Sequence, residues 1–138
     1  MIKRLLLSVV MLISLIAPAK AAHWLTVGNL GLQVIDYDLD SIKRQDEELL
    51  GAVAYVDSKV TYVQNPSYKE AVFSLEFKCG TDQFRMRAIM AHDFEGVDWA
   101  IPDPHIDEWT SMARVMDRDE QELIRLLGMI ACGGTYDL

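Results

Sequence analysis

Residues 36 to 47, DYDLDSIKRQDE, carry carboxylates at positions 1, 3, 5 and 12 of a twelve-residue stretch. Oxygen ligands at those offsets form the skeleton of an EF-hand calcium loop. Such a loop joins two helices, needs glycine at position 6 for its sharp turn, and wants an apolar residue at position 8. Here those positions hold Ser41 and Lys43, with strand-like sequence on both sides, Val34-Ile35 before and Leu49 to Val53 after. The residues therefore predict no metal site. They predict a strand that leaves through a turn into an edge segment, with Asp38 or Ser41 bonding local backbone.

Other side chains able to do chemistry are scattered. His23, His92 and His105 lack metal spacing, and no serine or cysteine stands in a recognisable nucleophile context. Asp103, His105 and Asp107 could cluster carboxylates around an imidazole, but the prolines beside them favour a solvated turn. His92 falls on the apolar face of a strand, where a structural role is expected. The reading is a non-enzyme with no catalytic residue, no metal and no cofactor. Binding is the chemistry left. Lys69, Lys78, Arg85 and Arg87 make a basic spot on an acidic chain, and Trp99 is an aromatic contact in a proline-containing loop. The competing account of the cations is ordinary cross-strand ion pairing on a wet sheet face. Trp109 is read as core.

These residues must be positioned by strands. In AVFSLEFKC, Ala71, Phe73, Leu75, Phe77 and Cys79 alternate with Val72, Ser74, Glu76 and Lys78, the period of a half-buried strand. After Gly80-Thr81-Asp82-Gln83, FRMRAIMAH repeats it, with Phe84, Met86, Ala88, Met90 and His92 on one face. A hairpin in which partner numbers sum to 163 sets Phe77 opposite Met86, Glu76 opposite Arg87 and Lys78 opposite Arg85. Before it come an apolar opening, Trp24 to Val27, turn signals at Gly28-Asn29 and Gly31, and strands over 33–38 and 49–63, the last ended by Asn65-Pro66-Ser67. Residues 93–109, with Gly96, Pro102 and Pro104, read as loop with a short extended piece. Asp117, with Glu120 three residues on, signals a helix start. Leu123, Ile124, Leu126, Leu127 and Ile130 supply its apolar stripe, and Gly133-Gly134 its end. The sum is an α+β fold, a mostly antiparallel β-sheet with a C-terminal α-helix packed on it.

Lys3 and Arg4, the apolar run from Leu5 to Ala17, and Ala19-Lys20-Ala21 have the layout of a signal peptide over 1–21. A single domain over 22–138 follows, exported to the periplasm or the cell surface, with no transmembrane segment. The chain has 13 basic and 21 acidic residues; without Lys3, Arg4 and Lys20 the balance is 10 to 21, a net charge of −11. That charge repels nucleic acid and anionic lipid and would steer the chain toward cationic partners, the competing account being solubility alone. In an oxidising compartment Cys79 and Cys132 can form a single disulfide, the alternative being two buried free thiols.

The run Asp38-x-x-Ser41-Ile42-x-Arg44, after a tryptophan-led first strand, resembles the opening motif of the surface-adhesin protein E family. The likeness continues through Trp24 and Val27, Tyr68-Lys69, Leu75-Glu76-Phe77-Lys78-Cys79, Arg85, Trp109 and the leucine-rich run from Leu123 to Cys132. The usual Pro-Gly step after the late tryptophan is missing, and basic residues around the second motif are fewer. The resemblance implies a small exported sheet-plus-helix domain, in some members a homodimer. It also implies an adhesin-like binding role toward host matrix proteins such as vitronectin or laminin. A second expectation, from size, disulfide and acidity, is a periplasmic inhibitor or immunity protein neutralising a cationic toxin or hydrolase. A third is envelope maintenance with no dedicated ligand.

Overall fold

A computed structural model describes residues 22–48, 51–62 and 68–134. The expected leader, the Leu49-Leu50 pair, the break at Asn65-Pro66-Ser67 and the last four residues lie outside that range. Within it the alternating segments form β5 (Glu70–Lys78) and β6 (Gln83–His92), an antiparallel pair at the centre of one sheet. Before them come β1 (Trp24–Leu30), β2 (Gln33–Asp38), β3 (Lys43–Glu47) and β4 (Gly51–Thr61). Short β7 (Asp98–Ala100) and β8 (Thr110–Ser111) follow, then the helix α1 (Arg118–Cys132). The sheet order is β1-β2-β4-β5-β6-β7; β3 adds to β4 and β8 to β6. The architecture is α+β, mostly antiparallel, with one C-terminal helix.

The acidic stretch resolves as anticipated. Asp38 ends β2 and caps a 3-10 turn, Leu39–Ser41, by accepting the Asp40 N–H, while Ser41 Oγ donates to the Asp38 carbonyl at 2.7 Å. The chain then re-enters the sheet as β3. The far half of the long β4 thus pairs with β2 (Ser58–Thr61) and its near half with β3 (Gly51–Tyr55). One carboxylate of the twelve-residue pattern, Asp38, accepts backbone N–H groups, those of His23 and Asp40.

The central hairpin departs from the expected register. Near the turn Phe77 pairs with Phe84, Glu76 with Arg85 and Leu75 with Met86, so partner numbers sum to 161; beyond a bulge at Arg87 they sum to 162. The 79–82 turn closes with Thr81 N–H on the Lys78 carbonyl, so the four-residue loop falls one position earlier than expected. The bulge then inverts the rest of β6, because one extra residue moves every later side chain to the other face. Ile89 and Ala91 point inward and are buried, whereas Met90 is exposed and His92 faces out. Alternation could not settle this, since Ala88-Ile89-Met90-Ala91 is apolar on both faces.

Two smaller corrections concern glycine and leucine. Gly28 makes no turn; β1 runs on to Leu30 and Gly31, at φ +59°, does the turning. A Cβ on Gly28 would stand 2.9 Å from Leu123 Cδ2, so its bare backbone is what admits the helix. Leu126 lies on the wet side of α1. The buried stripe is Leu123, Leu127 and Ala131, of which Leu127 and Ala131 join Ala54, Val56, Leu75, Phe77 and Phe84 of the sheet in one core cluster. Asp117 caps α1 by accepting the Glu120 N–H at 2.9 Å, and Gly133 (φ 66°) ends it. At that end Cys132 is disulfide-bonded to Cys79, and the Arg44 guanidinium donates to the Ile130 and Ala131 carbonyls. A cation there also complements the negative end of the helix dipole. No helix among the described residues is long and apolar enough to cross a membrane.

Candidate functional site

Alternation sends Val53, Tyr55, Asp57 and Lys59 of β4, and Val72, Ser74, Glu76 and Lys78 of β5, to the side away from α1. Among the described residues no helix packs on that outer face. Glu76 nevertheless is 2% exposed. Arg85 Nε, directly opposite, donates to its Oε2, and Arg87 NH1 stands 3.6 Å from its Oε1. The bulge lets Arg87 reach back, and its Nε also meets Asp107 Oδ1 at 2.9 Å. Beside Glu76 lies Tyr55, whose hydroxyl donates to Glu47 Oε1 at 2.9 Å. Burial and that hydrogen bond push the Tyr55 phenol up to about 12, whereas Gln45 and Tyr55 hold the Glu47 carboxyl below its ordinary range.

Trp109 completes the group. Lys78 Nζ lies 4.5 Å and Arg85 Cζ 4.4 Å from its ring centroid. Expected as core, Trp109 is half-buried and serves as the platform on which two cations rest. The expected head-on Lys78–Arg85 pair does not form, because the register differs; the ring receives both charges instead. Lys78 Nζ donates to Gln83 Oε1 at 3.1 Å. Lys59 repeats the motif at the sheet's other end, 4.5 Å over Trp24 and 3.9 Å from Glu70.

The five expected contact residues thus separate into two groups. Lys78, Arg85 and Arg87 come together around Glu76 and Trp109. Lys69 and Trp99 lie at the opposite end of the β5–β6 ribbon, where the Lys69 N–H bonds the His92 carbonyl and Trp99 pairs with Ala91. There Trp99 meets Tyr68 edge-on at 6.1 Å, and Tyr68 meets Tyr62 at 4.9 Å. Burial and the Tyr68 hydroxyl push Tyr62 up to about 12. The imagined cluster in the 103–107 loop does not assemble around one imidazole. Asp103 accepts the His105 backbone N–H, His105 Nδ1 pairs with Glu108 at 3.0 Å, and Asp107 turns to Arg87. Glu108 raises the His105 pKa above its ordinary value.

No family model, curated protein or solved structure matches this chain.

Sequence reasoning missed Tyr55, Glu47 and Trp24 as members of the outer face. Trp24 on β1 lies far from β4 in the chain and joins the face only through the order β1-β2-β4, whereas Glu47 and Tyr55 meet because β3 pairs with the strand that follows it. It also missed a cavity of about 540 Å³ on the inner face. No local pattern signals a cavity, because it is set by how far two layers stand apart.

Proposed function

We propose that this protein is an exported, non-enzymatic, adhesin-like binding module. It holds an extracellular-matrix protein of the vitronectin or laminin kind against the outer face of its sheet. The observation that carries the reading is the pair of cations, Lys78 and Arg85, held over the half-buried ring of Trp109. Tryptophan and arginine dominate binding energy at protein interfaces. Side chains already fixed by cation–π contacts and by Glu76 lose little conformational freedom when a partner docks.

Lys78 is the residue to test, because it has no carboxylate partner among the described residues, whereas Arg85 balances buried Glu76. In a binding assay on immobilised vitronectin and laminin, Lys78→Glu should weaken retention at least tenfold with an unchanged melting temperature. Retention equal to the unaltered protein would overturn the assignment.

A second reading rests on a different observation. Residues 93–122 hold ten acidic side chains and only two basic ones, Arg114 and Arg118. Such a field suits a periplasmic inhibitor docking a cationic toxin or hydrolase. Lys78→Glu would leave that interaction intact, so the one variant separates the two.

A further inference from the structure

The cavity stands on the side of the sheet opposite Glu76 and shares one lining residue, Arg85, with the group around Trp109. Its volume, about 540 Å³, lies within the range of small-molecule sites. Ile35, Val60, Phe73 and Leu75 form the floor on β2, β4 and β5, and Leu123 and Ile124 of α1 form the roof. Ser58, the floor's hydroxyl, is 2% exposed and already donates to the Asp36 carbonyl at 2.9 Å. A water molecule needs two to four polar partners, and this interior supplies few. The space suits hydrocarbon.

Polar groups gather instead at the mouth. The 104–107 turn and the first turn of α1 bring Asp103, Glu108 and Glu120 to the rim, with Arg114 and His105. Arg85 also lines the cavity, but its guanidinium is committed to Glu76. Three carboxylates against one guanidinium and one imidazole leave the rim acidic. An anionic head group would meet net repulsion there, and a cationic one net attraction.

We propose that this cavity binds a single-chain amphiphile with a cationic end, the alkyl chain lying between Val60 and Ile124 and the ammonium at the Asp103, Glu108 and Glu120 rim. The site shares Arg85 with the outer-face reading but not Lys78, the residue that tests that reading, so either can fail alone.

The probe is dodecyltrimethylammonium below its micelle-forming concentration, with dodecyl sulfate as the chain-matched anion. Both are titrated into the full mature protein and followed by calorimetry and methyl NMR. Saturable one-to-one binding is expected, with intermolecular NOEs from the chain to the methyls of Val60, Leu123 and Ile124, and at least tenfold weaker binding of dodecyl sulfate. Val60→Phe and Ile124→Trp, which fill the space, should each weaken the cation at least tenfold. Glu108→Gln with Glu120→Gln should bring the two head groups within about threefold. NOEs to other surfaces, equal uptake of both amphiphiles, or undiminished binding by the filled variants would overturn the proposal. Since the NOEs are read on the unaltered protein, a variant that fails to fold does not remove the test.

Discussion

Glu76 is a carboxylate on the outer side of a sheet that the fold has nonetheless withdrawn from water. Two guanidiniums make that tolerable, and they are unequal. Arg85 is 17% exposed at its side chain and bonds Glu76 directly; Arg87 is 46% exposed and has Asp107 as a second partner. Removing one member of a buried ion pair leaves the other charge without solvent or partner, at a cost of roughly 3–5 kcal/mol. Glu76→Ala should therefore destabilise the protein by about 3 kcal/mol, at the low end because Arg87 can still reach Asp107. Arg87→Ala should cost no more than about 1 kcal/mol, as exposed pairs do. Urea unfolding of both variants checks the ordering. Equal losses would mean that Glu76 does not organise the outer face. The same asymmetry explains why charge reversal at Arg85 is a poor probe of binding: it attacks the fold first.

At the scale of the element, the hairpin separates what sequence can specify from what it cannot. Phe73, Leu75, Phe77, Phe84 and Met86 are large, and their alternate neighbours are mostly polar, so their inward face was legible. From Ala88 onward both faces are apolar, and the bulge at Arg87 reverses them without any sequence signal. The helix was legible through Asp117, its stripe and Gly133, as was the exit from β2 through Asp38 and Ser41. Gly28 was misread because its reason is Leu123, nearly a hundred residues away. The candidate contacts suffered likewise: their types were visible, but their grouping depended on strand order. The bulge itself can be tested by two adjacent substitutions. Ile89→Asp places a carboxylate at a buried position and should cost more than about 3 kcal/mol, while Met90→Asp on the wet face should stay within about 1 kcal/mol. The unbulged strand predicts the reverse order, so stability measurements on this pair decide between the two registers.

On the scale of the whole molecule, one layer of strands has a wet face and a covered one, and among the described residues α1, with Met112 and Val115 just before it, does the covering. What keeps that helix in place governs both the apolar core and the cavity roof. Its fixings concentrate at one end: the Cys79–Cys132 bond, with a sequence separation of 53, and the Arg44 guanidinium on the last carbonyls. In the chain-entropy model a cross-link of that span stabilises by roughly 4 kcal/mol. For a domain of this size that corresponds to a melting temperature higher by roughly 15 °C. Cys79→Ala with Cys132→Ala should therefore lower the melting temperature by about that amount. Adding Arg44→Ala should lower it further, by less or more than the separate effects predict, because neighbouring fixings on one helix end are coupled. A loss under about 3 °C in the cysteine variant would show instead that Leu123, Leu127 and Ala131 hold α1 by packing alone. The helix would then be an ordinary docked element, and the covalent bond a safeguard against unfolding rather than the fixing on which the inner face depends.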